Sequence, residues 1–118
     1  MGFMGELLAA ERLRREGYVI LERNYRCSVG EIDLVAREEG VLVFVEVRTR
    51  SSEMYGSPLE SVDYFKQRRL RAVARNYLRE RKPRYDGVRF DVVGILLKEG
   101  EEAVIQIVPH AFYQGSFR

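Results

Sequence analysis

Asp33 and Glu46 are the residues whose type and setting best suit chemistry. Glu46 ends the run Val41-Leu42-Val43-Phe44-Val45, which reads as core. A carboxylate in such a place is costly unless it is paired or binds a metal ion. Asp33 lies in the preceding segment, Gly30 to Arg37, which alternates Glu31, Asp33 and Val35 against Ile32, Leu34 and Ala36. If Arg37 pairs with Leu42 around a four-residue turn, Asp33 falls opposite Glu46 on one face, with Cβ atoms roughly 5 Å apart. A three-residue turn sends the two to opposite faces, and the sequence leaves both registers open. In the first register the like charges repel, and a divalent cation resolves the conflict. Mg²⁺ takes hard oxygen ligands and keeps several waters; such an ion activates water and stabilises charge on a phosphoryl group. Arg48 follows on the same face and is suited to a phosphate oxygen. The same residues also suit plain strand-end ion pairs with Arg37, Arg48 or Arg50, and periodicity does not decide between the two.

A second set of candidates is basic. Arg68, Arg71, Arg75, Arg79 and Lys82 recur at spacings of three and four, so on a helix they form one stripe. That stripe suits a phosphate track and equally suits a solvated amphipathic face. Glu80 is the one acid between Lys66 and Lys82. Arg50, with Tyr55, is expected in a loop between the carboxylates and this helix, where it can meet substrate. Asp91 sits among Phe, Val and Ile and is expected to pair with an arginine. His110 is expected at the surface, and the tail Ala111 to Arg118 to dock on the domain.

The elements that must position these residues follow from pattern. Phe3, Leu7, Ala10 and Leu13 predict a helix over 3–16 that Gly17 ends. Tyr18 to Arg26 reads as a strand, and Gly30 to Arg37 with Val41 to Val47 as a hairpin. The second hairpin strand is apolar on both faces, which predicts a central strand covered on both sides. Thr49 to Ser57 reads as a loop. Ser57-Pro58-Leu59-Glu60 reads as a capping box opening a helix that runs to about Arg81, with Val62, Phe65, Leu70, Val73 and Tyr77 as its apolar side. Val88 to Leu97 and Ala103 to Val108 complete the order α-β-β-β-α-β-β, an α/β fold with a five-stranded mixed sheet.

Composition sets the frame. The chain has 118 residues, 46% hydrophobic and 32% charged, which suits a single folded domain over 1–118. A net charge of +2 does not by itself imply nucleic acid, so the distribution of charge must make that case. Cys27 alone excludes an intramolecular disulfide and leaves a cysteine-based zinc site short of ligands. Neither a signal peptide nor a membrane span is expected, and the reading is cytoplasmic with no membrane partner.

Asp33, Glu46 and Arg48, in Gly30-Glu31-Ile32-Asp33-Leu34-Val35-Ala36 and Val43-Phe44-Val45-Glu46-Val47-Arg48, resemble the PD-(D/E)XK nuclease pattern of Asp, a gap, then Glu-x-Lys. More closely, the chain resembles the YraN-type family of uncharacterised predicted endonucleases, similar in fold to archaeal Holliday junction resolvases. The resemblance runs through Gly5-Glu6, Gly17-Tyr18, Asn24-Tyr25-Arg26, the hairpin, Gly56-Ser57-Pro58, Lys66 and Arg89-Phe90-Asp91-Val92-Val93. It implies a restriction-endonuclease-like fold, Mg²⁺ or Mn²⁺ as cofactor, and endonuclease action on DNA, branched or flapped forms included. It implies Asp33 and Glu46 as metal ligands, with Glu6 as a third carboxylate and Glu31 beside them. The departure is Arg48, which stands where the pattern has Lys. Arginine stays charged and cannot act as a neutral general base, though it can clamp phosphate. Lys66 is the candidate to replace the ammonium. Two other readings stay open: a nucleic-acid-binding module with weak or no catalysis, which Arg48 favours, and a protein-interaction domain, which the low net charge favours. A homodimer is compatible with the sequence.

Overall fold

The alternation of apolar residues along the hairpin and the full burial of its second strand produce a sheet with a helix on each side. The computed structural model describes residues 2–51 and 58–112. Its elements are α1 (Gly2–Arg15), β1 (Val19–Cys27), β2 (Gly30–Glu38), β3 (Val41–Arg50), α2 (Tyr64–Arg81), β4 (Gly87–Leu96) and β5 (Val104–Phe112). The five strands lie in the order β1-β2-β3-β4-β5. All neighbours are antiparallel except β3 and β4, which run parallel. A parallel pair needs a long crossover, and α2 supplies it.

The two helices cover opposite faces. Ala9, Ala10 and Leu13 of α1 pack with Leu34, Ala36, Val43, Val45, Val93 and Ile95. Leu70, Val73, Ala74 and Tyr77 of α2 pack with Val35, Leu42, Phe44, Phe90 and Val92. The residues from Leu42 to Val45 are each at most 1% exposed and divide between the two layers. Full burial of one such side chain contributes about 1.5–3 kcal/mol. This is why the strand is central.

The β2–β3 turn is Glu39-Gly40, with φ of 48° and 84°. Two consecutive positive φ values make a type I′ hairpin turn, which glycine adopts without strain. The turn sets Glu38 against Val41 and Arg37 against Leu42, the register that carries Asp33 towards Glu46. One detail departs from simple alternation. Ile32 packs in the α2 layer and Leu34 in the α1 layer, although they are two residues apart. Strand β2 therefore turns over at Asp33.

Several boundaries differ from the sequence expectation. Thr49 and Arg50 extend β3, held by pairing with Ile95 and Leu96 of β4. The long helix begins at Tyr64, not at Ser57: Leu59–Ser61 is a single 3₁₀ turn, and Val62 is extended, with φ −109° and ψ 91°. Val62 is 3% exposed; the chain leaves helical geometry to sink this side chain into the core. The helix restarts from Asp63, whose side chain accepts the Lys66 N–H at 2.8 Å. The Ser57 cap, Tyr55 and the tail beyond Phe112 lie outside the described residues. Phe65, expected on the apolar side, is 73% exposed. It lies five positions before Leu70, a spacing that turns it well off that face.

Candidate functional site

The site forms where β2 and β3 part. Their backbone pairing reaches Leu34 and Val45. One step further, the Val47 N–H donates to Asp33 Oδ2 at 2.8 Å instead of to a strand carbonyl. The Asp33 side chain thus takes the place of the next ladder bond and is held beside Glu46. Glu46 is 5% exposed. It points to the α2 layer, as Leu42 and Phe44 do at the same strand parity.

Burial, and then the Glu46 carboxylate alongside, push the Asp33 pKa up to about 7, while the Val47 N–H acts to lower it. A pair of carboxylates in a half-dry cleft is poised to accept either a proton or a cation. Two cations already approach Glu46 Oε2: Arg48 at 3.4 Å and Lys66 Nζ at 3.5 Å. Both distances exceed the roughly 2.7–2.9 Å of a strong charge-assisted hydrogen bond. Lys66 arrives because the Asp63 cap starts α2 where its first turn faces the sheet. Arg48 and Arg50 continue the Glu46 side of β3. The Arg48 Nε, the Arg50 Nε and the Arg50 Nη1 are buried without hydrogen-bond partners among the described residues. Buried donors normally find acceptors, so these guanidinium groups carry positive charge beside Glu46 with part of their hydrogen-bonding capacity unmet.

Other candidates stand further off. Glu6 is partly exposed, and burial raises its pKa while a hydrogen bond with Asn24 lowers it. The charges of Asp33 and Glu31 reach it. Even so, among the described residues no group of three acidic, histidine or cysteine side chains is close enough to hold a metal ion. Glu6 therefore does not complete a three-carboxylate set in this conformation. The Asp33 and Glu46 pair still fits a hard cation, because Mg²⁺ is commonly held by one or two carboxylates, with water and phosphate oxygens completing its shell. Glu31 pairs with Arg26 at 2.8 Å at the surface. Arg26, Cys27, Gly30, Glu31, Lys66 and Arg69 line an open cleft of about 380 Å³ next to the site.

The basic stripe is elsewhere. Leu70, Val73, Ala74 and Tyr77 are the buried side of α2, and Lys66 shares that side. At 100° per residue, Arg68, Arg71, Arg75 and Arg79 project roughly opposite to it. Arg68 lies over the Tyr64 ring at 5.8 Å, and Arg79 donates to Asn76 at 3.5 Å. Lys82 is the left-handed C-cap. The stripe and the carboxylates thus lie on different sides of the helix.

Asn24, whose residue type alone suggests no role, joins the site through its hydrogen bond with Glu6. It has φ 55° and stands across from Asp33 in the β1–β2 register, between the pairs Arg23–Leu34 and Tyr25–Ile32. A positive φ suits Asn better than most residues, but that signal becomes meaningful only once the strand is known. No helix among the described residues is long and apolar enough to cross a membrane.

The description "Uncharacterised protein family UPF0102" belongs to the family profile that matches residues 5–95. A UPF0102 protein of Moorella thermoacetica is 49% identical, covering 94% of this chain and 93% of its own. One from Rhodococcus opacus is 46% identical, covering 95% of each. One from Dictyoglomus turgidum is 41% identical, covering 95% of this chain and 96% of its own. The matched span contains nearly all of α1 and the whole of the hairpin and α2, so every residue of the splayed carboxylate site lies within it, and the chain belongs to the uncharacterised protein family UPF0102.

Proposed function

We propose that this protein is a divalent-metal-dependent nuclease that hydrolyses phosphodiester bonds in DNA, branched or flapped forms included. The observation that carries the reading is the pairing of buried Glu46 with half-buried Asp33 at the parting of β2 and β3, with two cations on one carboxylate oxygen. Asp33 and Glu46 would hold Mg²⁺ or Mn²⁺. A bound ion of this kind supplies an activated water and neutralises charge on the phosphate. Lys66 provides the ammonium that the nuclease pattern has two residues after its Glu. Its reach to Glu46 from α2 supports that role. Arg48 and Arg50, on the Glu46 side of β3, would grip phosphate oxygens through their guanidinium groups. The outer stripe of α2 contributes long-range attraction to the phosphate backbone.

Arg48 in the lysine position favours a second reading, a binding module with little catalysis. The two separate in one assay: linear, flapped and four-way DNAs incubated with the protein in Mg²⁺, in Mn²⁺ and in chelator. Metal-dependent cleavage that disappears in Asp33→Asn and in Glu46→Gln supports the nuclease. Binding without cleavage, in the wild type and in Arg48→Lys alike, replaces it with the binding module.

A further inference from the structure

The first turn of α2 carries two aromatic side chains that the core does not use. Tyr64 is 62% exposed and Phe65 73% exposed, the highest value for a large apolar side chain among the described residues. Their rings contact edge to face at 6.0 Å and 68°. Arg68 covers one face of Tyr64 at 5.8 Å. Exposed aromatic pairs are expensive in water, and mixed aromatic and arginine surfaces are typical of base stacking.

Their position around the helix gives the pair a direction. At 100° per residue, the order going round the helix from the sheet-facing side is Lys66, Arg69, Phe65, Arg68, Tyr64, with Arg68 between the two rings. Phe65 therefore lies between the lysine that reaches Glu46 and the outer basic stripe. Cations flank both rings, and the adjacent Asp63 is committed to the helix cap. An apolar face framed by positive charge complements a nucleobase whose flanking phosphates are negative. It is poorly matched to a second copy of itself, which would bring Arg68 and Arg69 against their equivalents.

We infer that Tyr64 and Phe65 form a stacking platform for an unpaired nucleobase of the strand whose phosphate lies at Asp33 and Glu46; this rests on the nuclease reading above. A base held within a duplex presents its edges, not its faces, so only a strand with unpaired nucleotides can use the platform. The protein then prefers flaps and splayed ends to continuous duplex, and Phe65 sets how the strand enters the site.

The chain contains no tryptophan, so Phe65→Trp installs a single indole reporter. The test titrates this variant, the wild type and the double variant Tyr64→Ala with Phe65→Ala against flap DNA and blunt duplex of equal length, in Ca²⁺. The expected result is quenching of the indole fluorescence of Phe65→Trp by flap DNA but not by duplex. The double variant should lose at least about tenfold more affinity for the flap than for the duplex. Equal losses on both DNAs, or no quenching by the flap, overturn the platform and leave the nuclease reading intact. Failure of the wild type to bind any DNA overturns that reading and the platform with it. A wild-type dimer that becomes monomeric in the double variant, with flap preference unchanged, overturns the platform and reassigns the pair to self-association.

Discussion

Two buried acids sit almost back to back in the sheet and behave in opposite ways. Val45 pairs with Asp91 and Glu46 with Val92, so Asp91 and Glu46 are one register step apart and face opposite layers. Asp91 is 1% exposed and closed in by donors. Its Oδ1 accepts Arg89 Nε at 3.0 Å and the His110 N–H at 3.2 Å, and its Oδ2 accepts the Tyr18 hydroxyl at 2.9 Å. Arg89 in turn reaches Glu38 at 2.7 Å. Every charge there has a short partner, and burial followed by the Asp91 charge pushes the Tyr18 pKa up, keeping its hydroxyl a donor. On the other face Glu46 has a second carboxylate, Asp33, beside it, and its cations, Arg48 at 3.4 Å and Lys66 at 3.5 Å, stand further off than Arg89 Nε does from Asp91. A buried acid alone says little about function. What separates the two is whether the charge is met by short donors alone or shared with a second carboxylate.

The largest expected difference is in stability. Asp91→Ala leaves Arg89 only the more exposed Glu38 as counter-charge and removes the acceptor of the Tyr18 hydroxyl and the His110 N–H, and should cost about 3–5 kcal/mol. Asp33→Asn removes a like-charge conflict and should cost nothing or stabilise the metal-free chain at pH 8. Urea unfolding of both variants in chelator checks this, and comparable losses in the two would erase the distinction.

Next in size is the pH dependence that belongs to the open pair. The folded pKa of Asp33, about 7, lies above its ordinary 3.8. The folded state therefore holds a proton that the unfolded chain releases. Its contribution makes metal-free protein lose stability as pH rises from about 4 to about 7, with no further slope above. The wild type minus Asp33→Asn difference in Tm should follow that curve. A cation must displace the same proton, so the Tm gain on adding Mn²⁺ should grow with pH up to about 7 and vanish in Asp33→Asn.

A smaller effect concerns the cations. Arg48→Ala should slow metal-dependent cleavage at least about tenfold, about 1.4 kcal/mol of barrier. Arg48→Lys should keep or raise the rate, and Lys66→Met should slow it with little change in DNA affinity. Single-turnover rates at saturating DNA make the comparison; an unaffected Lys66→Met variant would remove the lysine from the chemistry. The smallest change belongs to the outer stripe. Arg79→Ala should lower the salt dependence of DNA binding by about one unit of slope. It should leave the saturated rate alone, because Arg79 points away from the carboxylates.

The elements themselves were legible because their signals are local. Alternation marked β2, the apolar run marked β3 as central, and Gly17 ended α1. Asp91 was expected to find an arginine, and Arg89 is its partner. Phe65 stands five positions before Leu70, which turns it off the buried face; separately, a capping box at Ser57 suggests one continuous helix, and the competing demand of Val62 for the core cannot be seen from propensity.

What the sequence determined by itself, then, was the set of strands and helices, the acid that stands in a core strand, and the cations near it in order. Each follows from the chemistry of a few neighbouring residues. Tertiary structure alone decided the rest. The Glu39-Gly40 turn chose the register that brings Asp33 to Glu46, because a slip of one residue would have reversed every side chain. Asp33 gained the Val47 N–H only where the strands part. Lys66 met Glu46 across twenty residues of sequence because α2 restarts from Asp63 above the sheet. The basic stripe turned outward for the same reason: once Leu70, Val73 and Tyr77 are buried, the opposite side of the helix is turned away from the sheet.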